Sequence, residues 1–387
     1  MTLNGNQNVQ IIHHFVKCFG RPGRVLLRKS RGHIVSGVAV ALKSRGRMDI
    51  VDTIASRIRR WREFYDPDHP RNRLIQVTVG DPLEDRPPLW PEYKRERTEW
   101  AWKLYREQLA VVERIDDDTV PFLHVSSGTE IVPEAFGCPV HRPSNERPFA
   151  LPLIHTAAEV SRLQVPGLDT PCLALLFEIA DELHGRAPEA ILKTTDIQCP
   201  MDWAALIWEK TGFYMGMIEA PEAVRELADK VKSVETAFYD EWRSRYGPEY
   251  IAHYPDYYMP GGIAMAVDEI GSVGCDMFNE FFRPELCELS ARYGGIGIHC
   301  CANARHQWDN LKRIPGLYLL NLVQPEQELA DAYRYFAEHP AQMHSWCGDD
   351  PVEWCGGLPS RARVVVHAQV ETEEQGRAVA ERFRALA

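Results

Sequence analysis

The sequence predicts a mixed α/β chain, a single (β/α)8 TIM barrel over residues 48–387 with helical N-terminal additions. Three observations predict it. Short apolar runs alternate with amphipathic stretches about eight times, the pattern of a parallel sheet covered by helices. Most of the runs end in a polar or ionisable residue, where such barrels gather their chemistry. No Gly-rich dinucleotide loop or phosphate-binding loop is present, which weighs against an open doubly wound sheet.

Composition bounds the rest. The chain has 387 residues, 45% of them hydrophobic and 26% charged, as in a soluble globular protein. No run of about 18 apolar residues occurs, so no membrane span is expected. The ten cysteines are scattered and follow no secretory signal, so a reducing cytoplasm is the expected location. A net charge of −11 argues against a general nucleic-acid binder. Residues 1–47 carry nine Lys or Arg and no acid, whereas the remainder carries 35 basic and 55 acidic residues. That shift marks 1–47 as a basic extension outside the fold, whose removal is expected to leave stability almost unchanged.

From Met48 an amphipathic helix begins, with Asp49 and Asp52 in its first turns and arginines after them. The first strand is Arg73 to Val79, and a charged helix covers 91–114. Thr119 to Val125 is the second strand, followed by a Pro-rich region and helices near 157–163 and 173–185. Ala190 to Thr195 is a strand, and Asp202 is placed as the cap of the next helix. Phe213 to Ile218 reads as a short strand, and Pro221 opens a helix to 245. Strands follow at Ile263 to Val267, Gly294 to Cys301, Leu317 to Leu320, Gln342 to Trp346 and Arg363 to Val366, separated by helices near 276–293, 305–313 and 326–337. Thr372 begins the closing helix.

The strand ends offer Asp81, Ser127, Asp196, Asp268, Glu269, His299, Cys301, Asn321 and His367. Asp and Asn favour such turns for their own hydrogen bonds, so none is functional by type alone. His299 and Cys301 are two apart on an extended chain and share a face, while Cys300 points away. An imidazole and a thiolate on one side are half of a zinc site. His367, at the end of the last strand, is the expected third ligand, with Cys347 and Cys355 as rivals. Asp196, Asp268, Glu269 and Tyr258 are the candidate proton-handling or orienting groups. Gln198, Asn303, Asn321 and Ser127 are the candidate substrate contacts.

Several landmarks resemble the uroporphyrinogen decarboxylase superfamily, which also contains corrinoid-dependent methyltransferases. They are Val132-Pro133-Glu134-Ala135-Phe136-Gly137, Asp196-Ile197-Gln198-Cys199-Pro200, Asp268-Glu269-Ile270-Gly271 with Phe282-Arg283-Pro284, and His299-x-Cys301-x-Asn303. The last resembles the metal motif of the methyltransferase branch. The resemblance implies a TIM barrel and a zinc-dependent enzyme moving a methyl group between a separate corrinoid protein and a small thiol-type acceptor. Its alternative is a metal-free decarboxylase or lyase acting on a carboxylated small molecule or tetrapyrrole. Two departures count against uroporphyrinogen itself: an arginine-rich motif has no counterpart after Met48, and Gly128 stands where that branch carries Asp. The partners expected are a small-molecule substrate, a corrinoid protein and a second copy of the chain.

Overall fold

A computed structural model describes residues 44–143, 146–338, 341–342 and 350–386. The basic extension lies outside the described residues, as do Trp346 and Cys347. In order, the chain forms α1 (Ser44–Tyr65), β1 (Arg73–Val79), α2 (Lys94–Val111), β2 (Phe122–His124), a hairpin of β3 (Val140–His141) and β4 (Phe149–Ala150), α3 (Pro171–Arg186), β5 (Ile191–Lys193), α4 (Pro200–Ile207), α5 (Lys210–Glu219) and α6 (Pro221–Tyr246). There follow β6 (Tyr250–Ile251), β7 (Tyr258–Met259), β8 (Ile263–Ala266), α7 (Arg283–Tyr293), β9 (Ile296–Cys300), β10 (Leu317–Leu322), α8 (Glu326–Tyr335), β11 (Ala341–Gln342), β12 (Val364–Val370) and α9 (Glu373–Arg384).

The strands make two main sheets. One has six strands in the order β1-β12-β11-β10-β9-β8, all parallel. The other has four in the order β2-β5-β6-β7. The expected closed barrel ladder is not formed among the described residues. Its place is taken by two seams, and both have a physical cause. Beside β1, the chain at 117–118 bonds through carboxylates as well as backbone. Asp118 Oδ2 accepts the Ile75 N–H and Asp117 Oδ2 the Val77 N–H, each at 2.8 Å, while Asp118 N–H donates to Ile75 O at 2.7 Å. The side chains satisfy strand donors that a ladder partner would otherwise take. At the other seam Gln198 bridges to Ala266, and Ala266 bonds on either side of it to Ile197 and Cys199.

α1 is the helical N-terminal addition, and it is fastened to the first seam. Arg57, almost fully buried, donates to the carbonyls of Val112, Ile115 and Thr119 at 2.6 Å and pairs with Asp117 at 2.8 Å. Arg60 pairs with Asp118 at 2.6 Å, and the Trp61 indole donates to Asp118 O. A carbonyl-rich turn thus ties down the two terminal nitrogens of the guanidinium, while Nε is left without a partner.

Alternation along the strands divides the apolar residues between two cores. Leu74 and Val365 belong to the main core, whereas Ile75, Val77, Val364 and Val366 pack with Tyr333 and Phe383 in a second. His367 therefore shares the face of Val365, and Gln76 and Thr78 that of Leu74.

Four sequence expectations change. Phe213 to Ile218 is part of helix α5, not a strand: Glu209 accepts the N–H groups of Thr211 and Gly212 as an N-cap, and Phe213 and Met217 bury one face. Asp202 does not cap α4. Cys199 holds that place, and Asp202 reaches across to the turn after β8. His367 and Asn321 lie within strands β12 and β10 rather than just beyond them. The segment 276–293 is not one α-helix, since a π-turn at Phe278–Phe282 precedes Pro284.

Candidate functional site

The C-terminal ends of β8 and β9 build the site. Helix α7 ends at Gly294 in the left-handed region, and Gly295 also has positive φ (138°). A Cβ at Gly295 would lie 2.3 Å from the Tyr318 ring, so the strand entry requires glycine. β9 then runs beside β8 with Ala266 opposite His299. The register puts the residues that follow Ala266 next to those that follow His299.

Asp268, His299 and Cys301 meet there, each offering a ligand atom within 4.8 Å of the others. Cys301 N–H donates to Asp268 Oδ1 at 2.6 Å, which fixes the thiol-bearing turn against the carboxylate. Asp202, beneath them, accepts the N–H groups of Asp268 (2.6 Å) and Glu269 (3.1 Å). His299 is buried, and its Nδ1 stands 2.5 Å from Asn321 Oδ1 on the neighbouring strand. That contact fits the tautomer protonated on Nδ1, the one in which Nε2 can serve as a ligand. Burial, then the Asp268 carboxylate, raises the Cys301 thiol pKa. A thiol, a carboxylate and an imidazole fixed by an outer hydrogen bond form a donor set suited to a divalent ion such as zinc. Cys300 is fully buried on the other face of the strand, as alternation requires.

His367 is not a member of that group. It lies three strands along the sheet from His299, and its Nε2 bonds Thr78 Oγ1 at 2.8 Å. The ring is exposed, yet burial by surrounding protein lowers its pKa, as expected for a residue within a cleft. Asp268 stands in that group instead. Cys355 packs in the second core.

Asp196 forms a second focus. Its backbone N–H donates to Ser127 Oγ at 3.0 Å, and Gln198 donates to Oδ1 at 2.6 Å. His253 Nε2 lies 3.2 Å and an Arg147 nitrogen 3.7 Å from Oδ2. Burial opposes its ionisation, but His253, Arg147 and Gln198 outweigh that and hold the carboxyl down at about 2. Ser127, Gln198 and Asp196 thus lie together. Glu269 is taken up by Lys210 and Tyr214. Asn303 is exposed and accepts from Arg305 N–H in its own turn. The Tyr258 hydroxyl belongs to the surroundings of the surface pair Arg62–Glu249, not to this site.

Sequence reasoning missed Tyr254 and His253. The Tyr254 ring lies 4.9 Å from that of His299 and 5.2 Å from that of His253, joining the two foci. Both follow the two-residue strand β6, too short to leave a periodic signal. Glu130 was also missed. Its Oε2 stands 2.3 Å from where a Cβ on Gly128 would be, so a carboxyl fills the space beside that glycine. Glu130 is 3% exposed, and burial pushes its carboxyl up to about 7.

The sequence model of one family, Uroporphyrinogen decarboxylase (URO-D), matches residues 69–334. A solved methyltransferase from Methanosarcina mazei has a similar fold, with TM-score 0.60 and 13% identity over 86% of this chain and 98% of that one. No curated protein matches the sequence. Among the described residues, no helix is long and apolar enough to cross a membrane.

Proposed function

This chain belongs to the uroporphyrinogen decarboxylase family, and from that premise we propose that it is a zinc-dependent methyltransferase on a (β/α)8-type frame. The observation that carries the reading is the meeting of Asp268, His299 and Cys301 at one pair of strand ends. The neighbour from Methanosarcina mazei, described as a methyltransferase, supports the choice of branch through fold alone.

In this reading His299, Cys301 and Asp268 would hold the ion, and a small thiol-type acceptor would bind beside it. When bound, zinc supplies a positive charge that lowers the pKa of a coordinated thiol and makes it nucleophilic near neutral pH. The chain's own residues do the rest. Asn321 keeps the His299 proton on Nδ1. Asp202 holds the Asp268 turn through two backbone donors. Asp196, ionised between His253 and Arg147, is the acceptor that orients the substrate. The methyl group comes from a corrinoid carried by a separate protein.

Zinc content of purified protein tests the reading. One equivalent per chain, lost in Cys301→Ala, is expected. Well under half an equivalent in zinc-supplied protein overturns it, and the decarboxylase reading centred on Asp196 then takes its place.

A further inference from the structure

We propose that Tyr254, carried into the mouth by the β6–β7 hairpin, sets which acceptor the metal group takes. Its ring walls the place beside His299 and restricts it to thiols on a narrow, unbranched chain. The inference rests on the methyltransferase reading above and deepens it, since it names the shape of the acceptor.

The hairpin is an addition to the strand–helix alternation, standing between α6 and β8 in the chain. β6 runs parallel to β5, with Ile251 opposite Lys193, and β7 returns antiparallel to it. The turn between them, His253 to Asp256, therefore points toward the C-terminal ends of the parallel strands, where such frames place their chemistry. It is held there from several sides. Ala252 N–H donates to Tyr257 O at 2.9 Å and closes the turn. The Asp256 carbonyl accepts from Gln76 Nε2 on β1 at 2.7 Å, and its carboxylate pairs with Lys193 on β5. His253 Nε2 lies 3.2 Å from the Asp196 carboxylate.

Tyr254 takes no part in this fastening. Its side chain is only partly buried, and its hydroxyl makes no hydrogen bond to a described residue. A tyrosine that serves packing alone buries its ring and pairs its hydroxyl. Tyr239 does so in this chain: it is buried and donates to Ala264 O at 2.7 Å. The Tyr254 ring instead lies 4.9 Å from that of His299, tilted by 37°, and so stands against one of the three residues of the metal group. A flat ring on a fastened turn takes from the acceptor the room on that side. A short chain can lie along its face and gain apolar contact, whereas a branched or cyclic one collides with it. A single methylene that does not fit a walled pocket costs about 10- to 200-fold.

Cobalt-substituted protein tests this, because cobalt(II) takes the place of zinc and its absorption reports a bound thiolate. Ethanethiol and cyclohexanethiol are titrated into the wild type and its variants. The wild type is expected to bind ethanethiol the more tightly. Tyr254→Ala should shift the ratio of the two affinities toward cyclohexanethiol by about tenfold or more. The ratio is the readout, because a merely structural role would weaken both thiols alike. Tyr254→Phe keeps the wall and loses only an unbonded hydroxyl, so it should keep the wild-type ratio. If Tyr254→Ala does not fold, Tyr254→Leu replaces the flat ring by a smaller side chain and should move the ratio the same way. An unchanged ratio in the folded Ala or Leu variant, or a shifted one in Tyr254→Phe, overturns the proposal. Failure to bind cobalt sinks the zinc reading and this inference with it. Cobalt uptake without thiol binding, or with a preference blind to position 254, leaves the metal site standing and sinks this inference alone.

Discussion

His299 and Asn321 are register partners on β9 and β10, and their side chains meet at 2.5 Å. The contact decides which ring nitrogen faces Asp268 and Cys301. Asn321→Leu keeps the volume roughly and removes the acceptor. Zinc affinity should fall about 10- to 100-fold, the usual effect of losing an outer partner of a ligating histidine. Competition with a chelator measures it, and unchanged affinity would show that Asn321 serves packing only.

The seam beside β1 makes a second prediction. The Asp118 side chain is fully buried and serves Ile75 N–H, Arg60 and Arg384. Asp118→Ala leaves the Ile75 donor unmatched and takes from Arg60 and Arg384 their buried partner, leaving them the exposed Asp116. A loss of about 3 kcal/mol or more is expected in urea unfolding. A loss below about 1 kcal/mol would mean that water replaces the carboxylate at the seam.

These two residues show what was legible in the sequence. Strand β1 is legible with its ends because Leu74, Ile75, Val77 and Val79 make it rich in apolar, largely β-branched residues and Gly80 bounds it. His299 and Cys301 were legible as a pair because the strand period is fixed at two. Their third partner was not, because register between β8 and β9, rather than any spacing, brings Asp268 to them. The seams were equally hidden. Asp117 and Asp118 look like ordinary turn residues until the strand donors they accept are known. Tyr254 and His253 follow a strand of two residues, below the length at which alternation can be seen.

Glu285 on α7 and Glu235 on α6 give a pH prediction. Both are buried, and neither Glu235 oxygen has a hydrogen-bond partner. Burial pushes Glu285 up to about 8, with Asp229 and Glu288 adding to the rise and Lys232 opposing it. Burial and then Glu285 raise Glu235 as well. An acid with a raised folded pKa favours the folded state below its unfolded pKa, about 4.3. That contribution is lost as pH rises toward 8, by up to about 1.4 kcal/mol per pH unit for one group. Glu285→Gln should therefore gain stability relative to wild type between pH 5 and 8. Parallel urea curves for the two proteins across that range would show that Glu285 ionises freely in the fold.

The metal group makes the most direct prediction. Asp268, His299 and Cys301 should hold one zinc per chain, with a position left open. Cys301→Ala should remove the ion, and Asp268→Asn should weaken it while leaving the chain folded. Cys300→Ala should retain zinc, because that thiol is fully buried on the opposite face of β9. His367→Ala should retain it too, since His367 bonds Thr78 and lies outside the group. Affinity should fall as the solution is acidified, because protons compete for the ligands. Zinc analysis of the four variants, with circular dichroism to check folding, separates the possibilities. Loss of zinc in His367→Ala with retention in Asp268→Asn would move the site across the mouth to the last strand. Retention in Cys301→Ala would remove the thiolate from the site and, with it, the basis for the methyltransferase reading.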